Sequence, residues 1–294
     1  MDLKEIHKRL RQYEIRIRKA LTNQMQGDFH SVFKGSGLEF DDVRQYQYGD
    51  DIRAIDWNVS AKGHGTYVKT FKEEKEQTVF FLLDVSASQQ IGKQGRQKAD
   101  VGKEICALLS FAAIKENSQV GLIGYSDTKE LYVKPNKGIK HGYELFTRLF
   151  RLVPTSKGTN LARAMNYTLK MVKRKSVVIV VSDFIDDNYQ PQLKALGRKH
   201  DLVVIHLSDP REEKLPRLGI IPLLDRESGR TLWVNTSWGS FKKGVLNKHA
   251  KAKGELERIC RTYQANFISV RTDQDYVPKL LKLFKVRNKS RVRA

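Results

Sequence analysis

The residues best placed to do chemistry are oxygens at the ends of apolar segments. The run Val79-Phe80-Phe81-Leu82-Leu83 stops at Asp84, and Ser86 and Ser88 follow at alternate positions. An extended loop would aim both hydroxyls to the same side as the carboxylate. A second apolar run, 177–181, stops at Ser182-Asp183-Phe184. Between them lies Lys157-Gly158-Thr159-Asn160, where Gly frees the backbone and Thr159 falls near a helix cap. Asp84, Ser86, Ser88, Thr159 and Asp183 together offer carboxylates and hydroxyls, with no nitrogen or sulfur. That set suits a hard cation, Mg²⁺ above all, with Mn²⁺ or Ca²⁺ taken by the same donors. Mg²⁺ retains waters, and with serines bound directly it keeps much of its charge. A carboxylate from another molecule would then complete the shell, so such a site can recognise without reacting. A plainer reading stands beside this one, because Asp and Ser are common in turns and Gly-Thr-Asn before a helix is ordinary capping.

The elements that must position these groups are legible as a rhythm. Strands are expected at 79–83, 120–125, 130–133, 177–181, 202–207 and 266–270, and helices at 97–116, 141–152, 160–173, 189–199, 240–263 and 275–285. Strands that are apolar throughout and separated by helices imply a mainly parallel sheet covered on both faces. In such sheets ligands sit beyond the carboxyl ends of the strands, where strand order reverses. Segments 218–224 and 231–234 flank Asp225-Arg226-Glu227-Ser228-Gly229, a hairpin signature that makes about 215–236 an excursion from the core. Leu3, Ile6, Leu10, Tyr13, Ile17 and Leu21 predict an amphipathic helix over 2–22. The expected organisation is an N-terminal helix and β-rich segment over 1–75, an α/β domain over 76–285 with the hairpin inserted, and a basic tail at 286–294.

The formal net charge of +21 admits nucleic acid, an anionic membrane surface or an acidic protein as partner. Residues 279–294 carry seven Lys/Arg and no acid, whereas 39–56 carry six acids against two arginines. Phe284 alone interleaves the basic tail with an aromatic, and Val277, Leu280, Leu281 and Phe284 read as the buried side of a final helix. Cys106 and Cys260 are far apart and form no C-x-x-C pair, which fits a reducing compartment. No signal peptide and no run long enough to span a bilayer is visible, so a cytoplasmic protein is expected, with peripheral membrane contact allowed by the charge.

Asp-x-Ser-x-Ser, then Gly-Thr, then Ser-Asp, on alternating strands and helices, resembles the metal-ion-dependent adhesion site of the von Willebrand factor A-type fold. Upstream, Gly35-Ser36-Gly37-Leu38-Glu39-Phe40, Arg44-x-Tyr46, Gly49-Asp50-x-x-Arg53 and Ile55-Asp56-Trp57 resemble the signature of the bacterial family called domain of unknown function 58. The resemblance runs over nearly the whole chain, and departs from the family at Ala61-Lys62, where Ala-Arg is usual. It implies a doubly wound, mainly parallel six-stranded sheet. It further implies Ser86, Ser88 and Thr159 as direct ligands of the ion, with Asp84 and Asp183 binding it or holding its waters. It also implies an adaptor or co-chaperone role beside a MoxR-type AAA+ ATPase, with no established reaction. Glu39, Arg44, Asp50, Arg53, Asp56 and Trp57 form the polar signature cluster, read either as ion pairs tying this segment to the core or as a contact surface.

The competing enzyme reading is a Mg²⁺-dependent phosphohydrolase built on Asp84 and Asp183. The sequence offers it no phosphate-cradling Gly-x-x-x-x-Gly-Lys-[Ser/Thr] loop and no paired-histidine motif.

Overall fold

The computed structural model describes residues 38–63, 65–73, 77–213, 219–224, 231–237 and 239–280. The expected helix over 2–22, the hairpin tip and the basic tail lie outside these residues.

The centre is a six-stranded sheet. Its strands are β3 (Thr78–Asp84), β6 (Gln119–Tyr125), β7 (Lys129–Asn136), β8 (Val177–Ser182), β9 (Asp201–Ser208) and β12 (Asn266–Arg271), in the order β12-β9-β8-β3-β6-β7. Every pairing is parallel except β6 with β7 at one edge. The chain leaves β3 to form β6 on one side and later returns to lay β8 on the other. Strand order therefore reverses at β3, which puts the switch-point crevice at the carboxyl ends of β3 and β8.

The apolar strands are buried on both faces, as their unbroken Val/Ile/Leu/Phe runs require. One face carries Phe81, Leu83, Leu122, Ile179, Val181 and Val203 against α1 (Lys98–Lys115) and α2 (Gly138–Arg151). The other carries Phe80, Leu82, Ile123, Val178 and Val180 against α3 (Leu161–Met171), α4 (Gln190–Lys199) and the end of α5 (Gly239–Thr262). β7 is the exception. Within it only Val133 is fully buried, and it ends in Pro135-Asn136, which an edge strand tolerates and a central one does not.

Two small antiparallel pairs lie outside the main sheet. β1 (Leu38–Gln45) pairs with β2 (Tyr67–Glu73), and β10 (Ile220–Leu224) with β11 (Thr231–Asn235), the expected excursion. A further pair of two-residue strands, β4 (Gly92–Lys93) and β5 (Arg96–Gln97), joins the site loop to α1. Among the described residues no helix is long and apolar enough to cross a membrane.

Helix α1 sits unusually close to the sheet at Gly102. A Cβ built there would lie 3.1 Å from Leu83 Cδ1 and 3.2 Å from Leu207 Cδ1. Because α1 begins beside the carboxyl ends of β3 and β8, its depth sets where its first residues reach. Gly102→Val should lift the helix and cost about 1–3 kcal/mol through overpacking. A urea midpoint unchanged from wild type would contradict this close contact.

Candidate metal and recognition site

Asp84 is the last residue of β3 and is 4% exposed. A buried carboxylate must recover in hydrogen bonds what it loses in hydration. Asp84 does so with four. Oδ1 accepts from the Ser86 N–H at 3.0 Å and the Ser86 hydroxyl at 2.6 Å. Oδ2 accepts from Gln89 Nε2 at 3.0 Å and, across the sheet, from the Ser182 hydroxyl at 2.7 Å. Burial, and then the charge of Asp183, raise the pKa of Asp84, while the bonds from Ser86 and Ser182 pull it back.

The serine hydroxyls form a chain. Ser86 gives its single proton to Asp84, so in its 2.9 Å contact with Ser88 it must accept. Ser88 in turn accepts from Gln89 Nε2 at 3.2 Å. Protons therefore run inward toward Asp84, and each hydroxyl keeps a lone pair. Ser86 is fully buried and Ser88 half-buried, so the approach is from the Ser88 side.

Three loops are tied to one another, pair by pair. The Ala87 N–H donates to Lys157 O at 3.0 Å, joining the β3 loop to the loop that carries Thr159. The Leu161 N–H donates to Asp186 Oδ2 at 2.7 Å, joining that loop to the one after β8. Ser182 with Asp84 closes the triangle. The cap of α3 is Asn160, whose side chain accepts from the Arg163 N–H at 2.8 Å, and Thr159 stands immediately before it, near the cap as expected. Thr159 is half-buried and makes a contact of its own.

The Thr159 loop has a second anchor in Glu130, on β7. Its carboxylate accepts from the N–H groups of Thr155 and Ser156, both at 2.9 Å, and from the hydroxyls of Thr155 and Ser126, both at 2.8 Å. Burial by itself would raise the Glu130 pKa, but these donors bring it down to about 2.

Asp183 follows β8 and turns into Phe184, a bulky residue held at φ 55°. Such a backbone costs free energy and persists only where its surroundings enforce it. Here the Phe184 N–H is held by Ser182 Oγ at 3.0 Å, and its ring packs near Tyr189 and His206. The turn fixes the direction of the Asp183 carboxylate. Oδ1 accepts from the Ile185 N–H at 3.1 Å, and Oδ2 from the Lys98 ammonium at 2.6 Å. Lys98 is itself wholly buried and also bonds Glu212, which sits in a single helical turn, Pro210–Glu213, after β9. Burial would lower the Lys98 pKa, but the carboxylates of Asp183 and Glu212 outweigh it and the net shift is upward.

Among the described residues no three His, Cys, Asp or Glu side chains form a metal cluster. The set at Asp84 is of another kind, hydroxyl oxygens with two carboxylates behind them. Lone pairs left on Ser86 and Ser88, next to a buried carboxylate, fit a hard divalent cation. Of the described histidines, two have partners elsewhere, and His200 is buried with no hydrogen-bond partner at either ring nitrogen. His141 Nε2 is 2.7 Å from Val120 O, and His206 Nδ1 is 3.1 Å from Ser269 Oγ. Burial lowers the pKa of His200 to about 4.

Of the signature cluster, the structure brings Arg44 and Asp50 together as a two-pronged pair, at 2.8 and 2.6 Å. Asp56 caps the turn Trp57–Ser60 and lies 3.6 Å from Lys69. These pairs join residues within 38–73. Trp57, Tyr48 and Ile52 are exposed, and Arg53 contributes its backbone N–H to an Asp51 cap. The side chain of Glu39 is outside the described set.

Sequence reasoning missed Lys98, Glu212, Ser182, Gln89 and Glu130 as members of the site. One signal was available. Lys98 opens a helix, where a cation opposes the macrodipole and needs compensation.

The reversal of strand order at β3, the single antiparallel edge and the Asp-x-Ser-x-Ser loop in the crevice define a doubly wound α/β domain of the von Willebrand factor A-like class. The chain belongs to the family described as protein of unknown function DUF58, whose model matches residues 42–255. It is 25% identical over 278 residues to uncharacterized proteins of Mycobacterium bovis and Mycobacterium tuberculosis, with 93% of this chain and 87% of theirs covered. Among solved structures it is similar to the conserved hypothetical protein BatB from Bacteroides thetaiotaomicron, at TM-score 0.46 and 15% identity, covering 72% of this chain and 99% of that one. It is also similar to the SpRpn10 VWA domain, at TM-score 0.40 and 11% identity, covering 70% and 94%.

Glu130 supplies a pH test of the loop anchor. A carboxylate with a depressed pKa stabilises the fold fully above its unfolded value, near 4.5, and loses that contribution as pH falls toward about 2. Glu130→Gln should therefore cost about 1–2 kcal/mol at neutral pH. The gap in melting temperature to wild type should close as the medium is made acidic. A gap that stays constant down to the acid end would place the loop's anchor elsewhere.

Proposed function

We propose that this protein is a divalent-metal-dependent interaction module. Folds of the von Willebrand factor A-like kind are commonly used for protein–protein contact. The reading rests on one observation, the inward run of protons from Ser88 through Ser86 to Asp84. It leaves a lone pair on each hydroxyl, with a buried carboxylate behind them.

Ser86 and Ser88, with Thr159 on the neighbouring loop, would hold Mg²⁺, with Mn²⁺ or Ca²⁺ accepted by the same oxygens. Asp84 and Asp183 would supply the balancing charge. The bound ion supplies Lewis acidity toward an Asp or Glu carboxylate of a partner. The chain's own residues do the rest. Gln89 and Ser182 hold Asp84 still, Glu130 holds the Thr159 loop, and the turn at Phe184 keeps Asp183 in place. The partner we infer is a MoxR-type AAA+ ATPase or a client brought to it, which makes the chain an adaptor in the assembly or activation of other proteins.

Ser88→Ala removes one outward-facing oxygen while leaving all four bonds to Asp84 intact. It should weaken Mn²⁺ binding, read by the loss of free-ion paramagnetic resonance signal, by about ten- to a hundred-fold. The fold should melt as wild type does. In affinity capture with Mg²⁺, wild type should retain a partner that EDTA releases, and Asp84→Ala should retain none. A partner held equally well in EDTA would end the metal reading.

A further inference from the structure

Lys98 is a full positive charge built into the site from inside. Its side chain has no exposure, and its ammonium bonds Asp183 Oδ2 and Glu212 Oε1 together. The far side of that pair is also fixed. Glu212 Oε2 accepts from the Asp209 N–H at 3.0 Å, while Asp209 accepts from the Arg211 N–H at 2.9 Å and from the Thr272 hydroxyl. Arg211 in turn reaches Gly92 O at 2.7 Å, on the hairpin that leads into α1. The ammonium therefore cannot swing away from Asp183 without breaking a network that ties the ends of β8, β9 and β12 to the start of α1.

The charges can be summed over this group. With all three ionised, Asp84, Asp183 and Glu212 would carry three negative charges against the one positive charge of Lys98, a deficit of two. A divalent ion would fill that deficit, but it would have to share Asp183 with the ammonium.

We infer that Lys98 is the residue that sets how weakly the site holds its ion, acting as a resident cation that competes for the charge of Asp183. The inference rests on the metal reading above and deepens it. A bound ion opposed by Lys98 is held loosely and stays electron-poor, the condition under which an external carboxylate adds to its shell. The alternative role for Lys98, that of a purely structural tie, makes no prediction about the sign of the change in metal affinity.

The test measures Mn²⁺ and Mg²⁺ binding to the full chain by titration calorimetry and paramagnetic resonance, in wild type, Lys98→Met and Glu212→Gln. Lys98→Met keeps the buried stem and removes the charge. Repulsion between a unit charge and a divalent ion across one carboxylate group, even at an effective dielectric of about 20, is ample for about a tenfold effect. Lys98→Met should therefore bind Mn²⁺ about tenfold more tightly or better, and gain more in melting temperature on adding the metal. Glu212→Gln works in the opposite direction. It leaves the whole ammonium to Asp183 and should weaken Mn²⁺ binding several-fold. Because this variant keeps every charge on the Asp84 side, it carries the test if Lys98→Met does not fold.

The outcomes separate the two readings. Binding that is absent in wild type but present in Lys98→Met supports the inference and shows the resting site to be closed to metal. Binding that is present in wild type and unchanged or weaker in Lys98→Met overturns the inference alone. If no variant binds the ion, both readings fall.

Discussion

The structure turns on one buried carboxylate. Asp84 ends the central strand of a sheet whose strands are apolar on both faces, so water cannot solvate it and protein groups must. Those groups come from two places: the loop that follows it, with Ser86 and Gln89, and the end of the next strand over. Satisfying Asp84 therefore fixes the β3 loop and its register against β8 together. Loss of any one donor would leave a desolvated acceptor, which costs more than an average hydrogen bond returns. This explains why hydroxyls stand at Ser86 and Ser182, where an apolar residue would pack as well.

A second charge problem sits behind the first. Asp183 is as buried as Asp84, and two carboxylates in one crevice repel, which adds to the burial that chiefly raises the pKa of Asp84. Lys98 meets that problem from inside the fold, at the start of α1, where the helix macrodipole opposes a cation. Glu212 reinforces it from the turn after β9. The close approach of α1 at Gly102 belongs to the same arrangement, because the helix must lie deep for its first residue to reach Asp183. Packing and electrostatics are thus one design here, and the depth of a helix sets the charge of a site.

Much of this was legible in the chain itself. Runs such as Val-Val-Ile-Val-Val read as buried strands of a mainly parallel sheet, and they pair that way, with Asp84 ending one and Asp183 following the other. The hairpin over 215–236 announced itself by its turn residues, and its two strands pair as expected. What could not be read was long-range pairing. Lys98 and Asp183 are separated by 85 positions, and Lys98 and Glu212 by 114. Nothing local distinguishes Lys98 from the chain's other lysines except its place at a helix start. Edge effects were blurred too. β7 runs from Lys129 to Asn136, longer than the apolar stretch within it, because an edge strand needs only alternate residues buried. β4 and β5, at two residues each, carry no periodicity at all. The cap of α3 is Asn160, beside Thr159, its side chain bonding the third N–H of the helix.

The direction of the protons gives the last step. Ser86 gives its proton to Asp84, both oxygens of which take two bonds each, and accepts in turn from Ser88. The arrangement leaves a lone pair on each hydroxyl, the state wanted of ligands and of acceptors. The chain's surplus of positive charge fits the same picture. With 54 Lys and Arg against 33 Asp and Glu the chain as a whole is strongly basic, while the crevice concentrates buried carboxylates. On the proposed metal reading, an ion held at Ser86 and Ser88 would offer an acidic partner a point of contact inside a crevice whose own carboxylates would otherwise repel it.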